Sequence, residues 1–379
     1  MRVLQLTSDW KWTGPAEPMV RLGLAQRERG FEVHLACPMA PHPRQGGLAQ
    51  EAEKAGLLPE LAILRGRGFR PLADRPDARA LHALLEHHEV DIVHTWHTRD
   101  HLLALRAARA RRRRGVTAVV RSYRKAETIP RLPWNRWLFG PGTDGLLCVS
   151  PETARRNLGI RGGRPLRGAF GAVDGERFMP READPELRAA LGLAPEHRVV
   201  GVVARVQRHR RFDLLLEAAA RLLEGDSRAR LLVVGRGTHR RAVAEEPARR
   251  MGLGDRVIFA GYRKDDYTEV LRAIDVFSLL VPGSDGTCRA LLEAAACGIP
   301  AVTSKRGALP EIVLDGVTGT LCDEDPEALA SAWRALLDDA ERRLAMGGSA
   351  RRRAETEFTG ARLAEEVAAL YREAHRGDS

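Results

Sequence analysis

The segment that most limits what this chain can fold into runs from Val281 to Gly319, VPGSDGTCRALLEAAACGIPAVTSKRGALPEIVLDGVTG. A turn, Pro282-Gly283-Ser284-Asp285-Gly286, leads into an apolar helical run from Ala290 to Cys297. Gly298 supplies a left-handed stop for that helix, and Pro300 prevents it from resuming. A short apolar strand, Ala301-Val302-Thr303, follows, and then a glycine loop, Gly307-Ala308-Leu309-Pro310-Glu311. Turn, helix, stop and buried strand in this order belong to a layered α/β domain.

The chemistry open to this segment is that of a helix N-terminus. The backbone N–H groups of Gly286, Thr287 and Cys288 are expected to leave the first turn unpaired. The helix dipole adds positive potential there, which suits a phosphate or a sugar hydroxyl. Asp285 precedes the helix, and Glu293 follows about two turns later at ~3.6 residues per turn. Two carboxylates so spaced can contact opposite ends of one elongated polar ligand. Equally, Asp285 can be a simple N-cap and Glu293 a helix-surface residue. The neighbours Leu291, Leu292 and Ala294 to Ala296 argue against full solvation of Glu293.

The N-terminal half opens with a strand, Val3 to Leu6, a loop from Trp10 to Glu17, a helix to Gly30 and a second strand, Phe31 to Leu35. This is how a doubly wound α/β domain begins. The GxGxxG fingerprint is absent, which argues against NAD. A strand at Val90 to Val93 ends in His94-Thr95-Trp96-His97, where open α/β sheets place their ligands. A lone histidine at a strand end is nevertheless more often structural than catalytic. The helix Asp100 to Ala110 ends in Arg111 to Arg114, read as a cationic helix end. No helix-turn-helix, RRM or KH pattern accompanies it, so nucleic acid is not an expected partner. From Arg121 to Gly140, arginines alternate with Tyr123, Trp134, Trp137 and Phe139, which suits an acidic membrane surface or a phosphorylated acceptor, or else a loop with half-buried tryptophans. The second half repeats the plan. A strand at Val199 to Ala204 is followed by Arg205 and Arg210, and a strand at Leu231 to Val234 by Gly235-Arg236-Gly237. A third strand, Val257 to Ala260, ends at Gly261-Tyr262.

These motifs together resemble the retaining glycosyltransferases of family 4. That family carries Glu, seven residues, Glu, then Ala-Cys-Gly-x-Pro-Val-Val and Gly-Gly-x-Pro-Glu-Ile. Here the pattern reads Asp285, seven residues, Glu293, Cys297-Gly298-Ile299-Pro300-Ala301-Val302 and Gly307-Ala308-Leu309-Pro310-Glu311-Ile312. The first acid is Asp rather than Glu, and Thr287-Cys288-Arg289 replaces the commoner Phe-Gly. The resemblance implies the GT-B fold: α/β, with two Rossmann-like domains facing a cleft. It implies an acceptor domain of residues 1–172, onto which a C-terminal helix 360–375 packs back, and a donor domain of residues 173–358.

It also implies roles for single residues. Glu293 holds the nucleotide ribose, Asp285 lies against the transferred sugar, and Gly286, Thr287, Cys288 and Arg289 bind the donor, with the N-terminus at Gly286–Cys288 aimed at the charge of the leaving diphosphate. Arg205 and Arg210 match the family's Arg, four residues, Lys-Gly, and grip the diphosphate. Arg210 stands for the lysine and Arg211 for the glycine. Tyr262 ends the strand that meets the base. Gly14, with Ala16 and Glu17, matches a Gly-Gly-Ala-Glu loop whose backbone can approach the donor, where Gly14 is counted as binding, or the acceptor, and Gly14 can equally be a simple turn. His97 lies near the reacting sugar, although His94 and Trp96 fit the family's spacing as well. The implied reaction moves a sugar from a nucleotide-diphosphate sugar to an acceptor hydroxyl, with retention and with no metal or cofactor. Its acceptor would be a lipid-linked or saccharide molecule of bacterial lipopolysaccharide, polysaccharide or glycolipid synthesis. The alternatives are a nucleotide-sugar epimerase of the same fold and a non-enzymatic polyanion-binding protein.

Composition narrows this further. The 379 residues suffice for two cores. The net charge of +11 favours phosphorylated or acidic partners, although the near-absence of lysine among the basic residues also fits a compositional bias of the genome. The five cysteines are scattered without a CxxC pair, which argues for reduced thiols and against structural zinc. No metal-ligand cluster is visible. No apolar run approaches the ~20 residues of a membrane span, and the N-terminus reads as a strand rather than a signal peptide. The expected location is therefore cytoplasmic, with peripheral contact at the inner face of the membrane.

Overall fold

The computed structural model describes residues 1–12, 16–42, 47–62, 72–111, 117–283 and 286–376. It divides into two compact units, Met1–Ala172 with Gly360–Ser379, and Val173–Thr359.

The first unit holds seven strands: β1 (Arg2–Leu6), β2 (Glu32–Cys37), β3 (Pro59–Ala62), β4 (Ile92–Thr95), β5 (Ala118–Tyr123), β6 (Gly145–Cys148) and β7 (Leu166–Gly168). All pairs are parallel, in the order β3-β2-β1-β4-β5-β6-β7. Side chains of both strand faces are buried, as in Val3 and Leu4 or Ile92 and Val93. A parallel sheet covered by helices on both sides requires such runs. The strand order reverses between β1 and β4, which makes their carboxyl ends the switch point of this sheet.

The C-terminal helix Gly360–Arg376 belongs to this unit and buries Leu363, Ala364, Val367, Leu370 and Tyr371. A closed polar network fastens it. Trp96 Nε1 donates to Gln5 Oε1 at 2.9 Å, Gln5 Nε2 to Gln26 Oε1 at 3.0 Å, and Gln26 Nε2 to the Tyr371 hydroxyl at 3.1 Å. That hydroxyl lies 2.7 Å from His94 Nδ1, and His94 Nε2 lies 2.8 Å from Ser122 Oγ. Because the tyrosine accepts from Gln26, it donates to His94. The imidazole is therefore neutral with its proton on Nε2. All six side chains are buried and each finds its partners, the condition under which a buried polar network stabilises a fold.

The second unit holds β8 (Arg198–Val203), β9 (Ala229–Val234), β10 (Val257–Gly261), β11 (Val276–Leu279), β12 (Ala301–Ser304) and β13 (Gly319–Cys322). They form a second all-parallel sheet, β10-β9-β8-β11-β12-β13, whose order reverses between β8 and β11. Gly298 has φ +74, the left-handed stop expected of it, and β12 follows directly. Packing is tight near the switch point: a Cβ on Gly201 would lie 2.1 Å from Ile274 Cδ1. The stretch around Trp134 is a short helix, Pro133–Phe139, rather than a loop. All five cysteines are free and buried.

Two histidines of the first unit are fully buried. Desolvation lowers His94 to about 3, helped by the nearby Arg121, and lowers His101 likewise to about 3. The unfolded chain binds a proton on each near the ordinary value of ~6.5, and the folded chain does not until about pH 3. The stability they contribute is therefore complete above pH ~6.5 and is lost as pH falls from there toward 3, at about 1.4 kcal/mol per pH unit for each histidine. Tryptophan fluorescence follows mainly this unit, because five of the six tryptophans precede residue 172. Urea midpoints at pH 7.5, 6 and 5 should fall steadily, and the slope should shrink in His101→Gln. Equal midpoints at pH 7.5 and 5 would contradict the neutral-histidine assignment.

Candidate active-site edges

In the second unit, the loops after β8, β9 and β10 are joined into one ledge. Ala204 N–H donates to Val234 O at 3.0 Å, Val206 N–H to Arg236 O at 3.2 Å, and Gly235 N–H to Gly261 O at 2.7 Å. The glycines make this possible. A Cβ on Gly235 would lie 2.0 Å from Ala204 O, and one on Gly237 only 1.9 Å from Val206 O. The ledge presents two residues expected to contact a ligand. Arg205 is exposed and has no hydrogen bond or ion pair among the described residues. Tyr262 is 59% exposed, with the Arg236 guanidinium 4.6 Å from its ring centroid.

Arg210 is placed differently from the expectation. It is buried, and its Nη1 donates to Val281 O at 2.7 Å and Pro282 O at 2.9 Å. It thus ties the loop after β8 to the loop after β11 across the switch point. Arg211, where the resembled family has glycine, adopts φ +58. A non-glycine residue pays for that conformation with about 1 kcal/mol, and the ion pair of Arg211 with Glu324 at 2.5 Å offsets part of it.

The helix of the 281–319 segment matches the expected run, Ala290 to Cys297, to within one residue at each end. It runs Arg289–Ala296, capped by Cys288 at φ +50. Gly286, at φ +65, donates its N–H to Gly283 O at 2.8 Å. Two left-handed residues so close together hold the chain in turns. The N–H of Gly286 is therefore spent in the turn rather than presented by a helix. Thr287 lies within this turn and Arg289 opens the helix.

Glu293 is 5% exposed. The Tyr267 hydroxyl donates to its Oε2 at 2.7 Å, and Arg289 Nε lies 3.4 Å from Oε1. Burial, reinforced by the Glu293 charge, raises the Tyr267 hydroxyl well above its ordinary value, so it remains a donor at any working pH. The Phe178 ring meets Tyr267 edge-on at 5.9 Å. Tyr267 escaped the reading of the sequence because no spacing links it to Glu293. The only trace is an aromatic residue opening a short helix, Tyr267–Arg272.

In the first unit, His94 is excluded from contact with a ligand by the network above and by stacking on Trp96 at 5.1 Å. His97 stands at the strand end, half-buried, ahead of the helix Thr98–Arg111. Its backbone N–H donates to Asp100 Oδ2 at 2.7 Å. Burial lowers its pKa, Arg121 and Arg124 act in the same direction, and Asp100 and Asp9 oppose them. Gly14 and Asp285 lie outside the described residues.

A group that the sequence did not signal sits at the opposite, amino end of β2. Glu32, His34 and His88 offer ligand atoms within 4.8 Å of one another, whereas no metal-ligand cluster was expected. Glu60 bonds both imidazoles, at 2.6 Å to His34 and 2.9 Å to His88. These residues come together only because β2, β3 and the helix Arg75–His87 pack side by side.

Comparison with known proteins finds a family likeness in each half of the chain. A model described as Glycosyl transferases group 1 matches residues 183–353, and one described as Glycosyltransferase Family 4 matches residues 14–164. The D-inositol 3-phosphate glycosyltransferase of Corynebacterium urealyticum is 33% identical over 210 residues, covering 53% of this chain and 49% of that protein. The lipopolysaccharide core biosynthesis mannosyltransferase LpsB of Rhizobium meliloti is 29% identical over 246 residues, covering 63% and 68%. The chain thus spans about half the length of the first curated relatives it matches. Among solved structures, HepE of Anabaena in complex with UDP and glucose superposes with a TM-score of 0.77 at 18% identity, covering 97% of this chain and 98% of that one. At that identity the likeness concerns the fold, two Rossmann-like parallel sheets.

Tyr267→Phe should remove the hydroxyl that donates to the buried Glu293 Oε2. A loss of about 1–3 kcal/mol in unfolding free energy is expected, measured by urea denaturation. An unchanged midpoint would mean that the carboxylate does not need the hydroxyl.

Proposed function

The chain belongs to the group 1, family 4 glycosyltransferases, and from that premise we propose that it moves a sugar from a nucleotide-diphosphate sugar to an acceptor hydroxyl with retention at the anomeric carbon. The observation that carries this reading is the buried Glu293, held between Tyr267 and Arg289 at the sheet edge that also bears Arg205 and Tyr262. A carboxylate kept oriented and short of water is suited to accept both hydroxyls of a ribose.

Arg205 is the cation for the diphosphate. Negative charge grows on that group as the glycosidic bond breaks, and a fixed guanidinium stabilises the growing charge. Arg210 supports this indirectly, since it fixes Val281 and Pro282 at the end of β11. Tyr262, with Arg236 on one face, offers a ring at the base position. Asp285 keeps the role toward the transferred sugar that the family resemblance implies. In this reading the arginines take the part that a metal plays elsewhere. The names of the relatives, an inositol-phosphate glycosyltransferase and a lipopolysaccharide mannosyltransferase, support a hydroxylated acceptor of envelope or small-molecule glycoside synthesis.

A peripheral membrane role fits one patch. Leu132 is 62% and Trp134 52% exposed, and Arg131 and Arg136 flank them. No helix among the described residues is long and apolar enough to cross a membrane. A shallow apolar wedge bordered by arginines suits an anionic lipid surface. Co-sedimentation with vesicles containing phosphatidylglycerol should drop about ten-fold in Leu132→Ser with Trp134→Ala. Equal sedimentation of the double variant and the parent chain would remove the membrane from the proposal.

The deciding experiment is a thermal-shift screen against UDP, GDP, ADP, CMP and their sugars, with Arg205→Ala and Glu293→Gln alongside. One nucleotide should raise the melting temperature by a few kelvin, as ligand in about 100-fold excess over Kd would, and both variants should lose the shift. Silence from every nucleotide would overturn the transferase reading. A shift accompanied by an altered free sugar, without transfer, would point to epimerisation.

A further inference from the structure

The first unit holds a buried cation that the reading above leaves unused. Arg121, near the carboxyl end of β5, is 8% exposed. Its Nε and Nη1 are sealed from water and have no hydrogen-bond partner among the described residues. Burial lowers its pKa to about 10, so it is still charged at neutral pH. Enclosing a guanidinium without an acceptor is costly. Native folds leave such groups unpaired chiefly where something else completes them.

The surroundings say what completes this one. The first turn of the helix Thr98–Arg111 lies close enough for Asp100, His97 and His101 to share the field of Arg121. Asp100 spends Oδ2 on the N–H groups of Trp96 at 3.3 Å and His97 at 2.7 Å, and its Oδ1 is buried without a partner. His97 Nε2 is likewise buried without a partner. Arg124 lies 5.8 Å from the Trp96 ring centroid and adds a second positive charge near His97. Thus a cation with two idle nitrogens, a carboxylate with one idle oxygen and an imidazole with one idle nitrogen meet beside the switch point of the first sheet. The idle acceptor calls for a hydroxyl, and the idle guanidinium N–H groups call for an anion.

We propose that this corner binds a hydroxyl-bearing anion, a sugar or polyol carrying a phosphate or carboxylate, with the anion on Arg121 and a hydroxyl on Asp100 Oδ1. That this molecule is the acceptor rests on the transferase reading; the anion site itself does not. The neutral end of such an acceptor, next to His97, is then the one placed for reaction. The site separates acceptors by charge: a neutral sugar leaves the guanidinium unpaired, which is how a polar site rejects an analogue lacking the expected group.

Calorimetric titration of the full chain with glucose 6-phosphate, glucuronic acid and glucose, at constant ionic strength, tests this. The parent chain, Arg121→Gln, Arg121→Lys and Arg205→Ala are compared. One of the two acids should bind about ten-fold or more tightly than glucose, and Arg121→Gln should lose that margin. Arg121→Lys should recover part of it, and Arg205→Ala should stay within about two-fold of the parent. Without ligand, Arg121→Gln should melt higher than the parent, because a buried unpaired charge has gone. Equal binding of acids and glucose, or acid binding that Arg205→Ala abolishes and Arg121→Gln spares, overturns the proposal. So does a lower melting temperature in folded Arg121→Gln with unchanged acid affinity, which would make Arg121 a structural residue. Nucleotide binding measured on the same samples separates the two ideas: its absence in the parent chain defeats the transferase reading and leaves the Arg121 result standing.

Discussion

A parallel sheet buried on both faces leaves only its strand ends for chemistry. Both sheets of this chain obey that constraint, and each reverses its strand order once, between β1 and β4 and between β8 and β11. Neighbouring loops part at those reversals. The groups assigned to ligand binding sit at or just after the carboxyl ends of strands: Arg205 after β8, Tyr262 after β10 and Arg289 with Glu293 on the helix after β11 in the second unit, and His97 with Asp100 after β4 and Arg121 in β5 in the first.

Each edge is stiffened by atoms that are themselves unsuited to chemistry. In the second unit, Gly235 and Gly237 let three loops lie against one another, and Arg210 bonds two carbonyls across the reversal. In the first unit, the chain of hydrogen bonds from Trp96 through Gln5, Gln26 and Tyr371 to His94 and Ser122 fixes the floor beneath His97. Residues set on such supports keep their orientation when a ligand arrives, which is the value of preorganisation.

The treatment of buried charge separates support from function. Arg99 is fully enclosed and satisfied by Asp74 and Asp77, both at 2.6 Å. Arg161 is enclosed among carbonyls, including those of Phe139, Thr143, Asp144 and Pro165. Both act as structural fasteners. Arg121 has the same burial without the partners, and this contrast singles it out. Glu293 lies between the two cases, with one oxygen bonded by a buried tyrosine and the other beside a half-exposed arginine.

Much of this was legible in the chain itself. Apolar runs ended by glycine and proline determine parallel strands and helix stops, because burial and backbone sterics act locally, and Gly298 behaves as its position demands. The ordered motifs from Asp285 to Ile312 identify the family for the same reason: they are contiguous. What tertiary structure decided is long-range. Tyr267 reaches Glu293 across 26 residues, and His94 reaches Tyr371 across 277. No periodicity records such pairs. The N–H of Gly286 also departs from its expected role, because a left-handed turn directs it to Gly283 O. Sequence alone could name His94 and His97 as equals and Arg121 as one arginine among many. Burial and hydrogen-bond partners made the first structural and left the other two with atoms to spare, since solvation and pairing are properties of the folded neighbourhood and not of the residue.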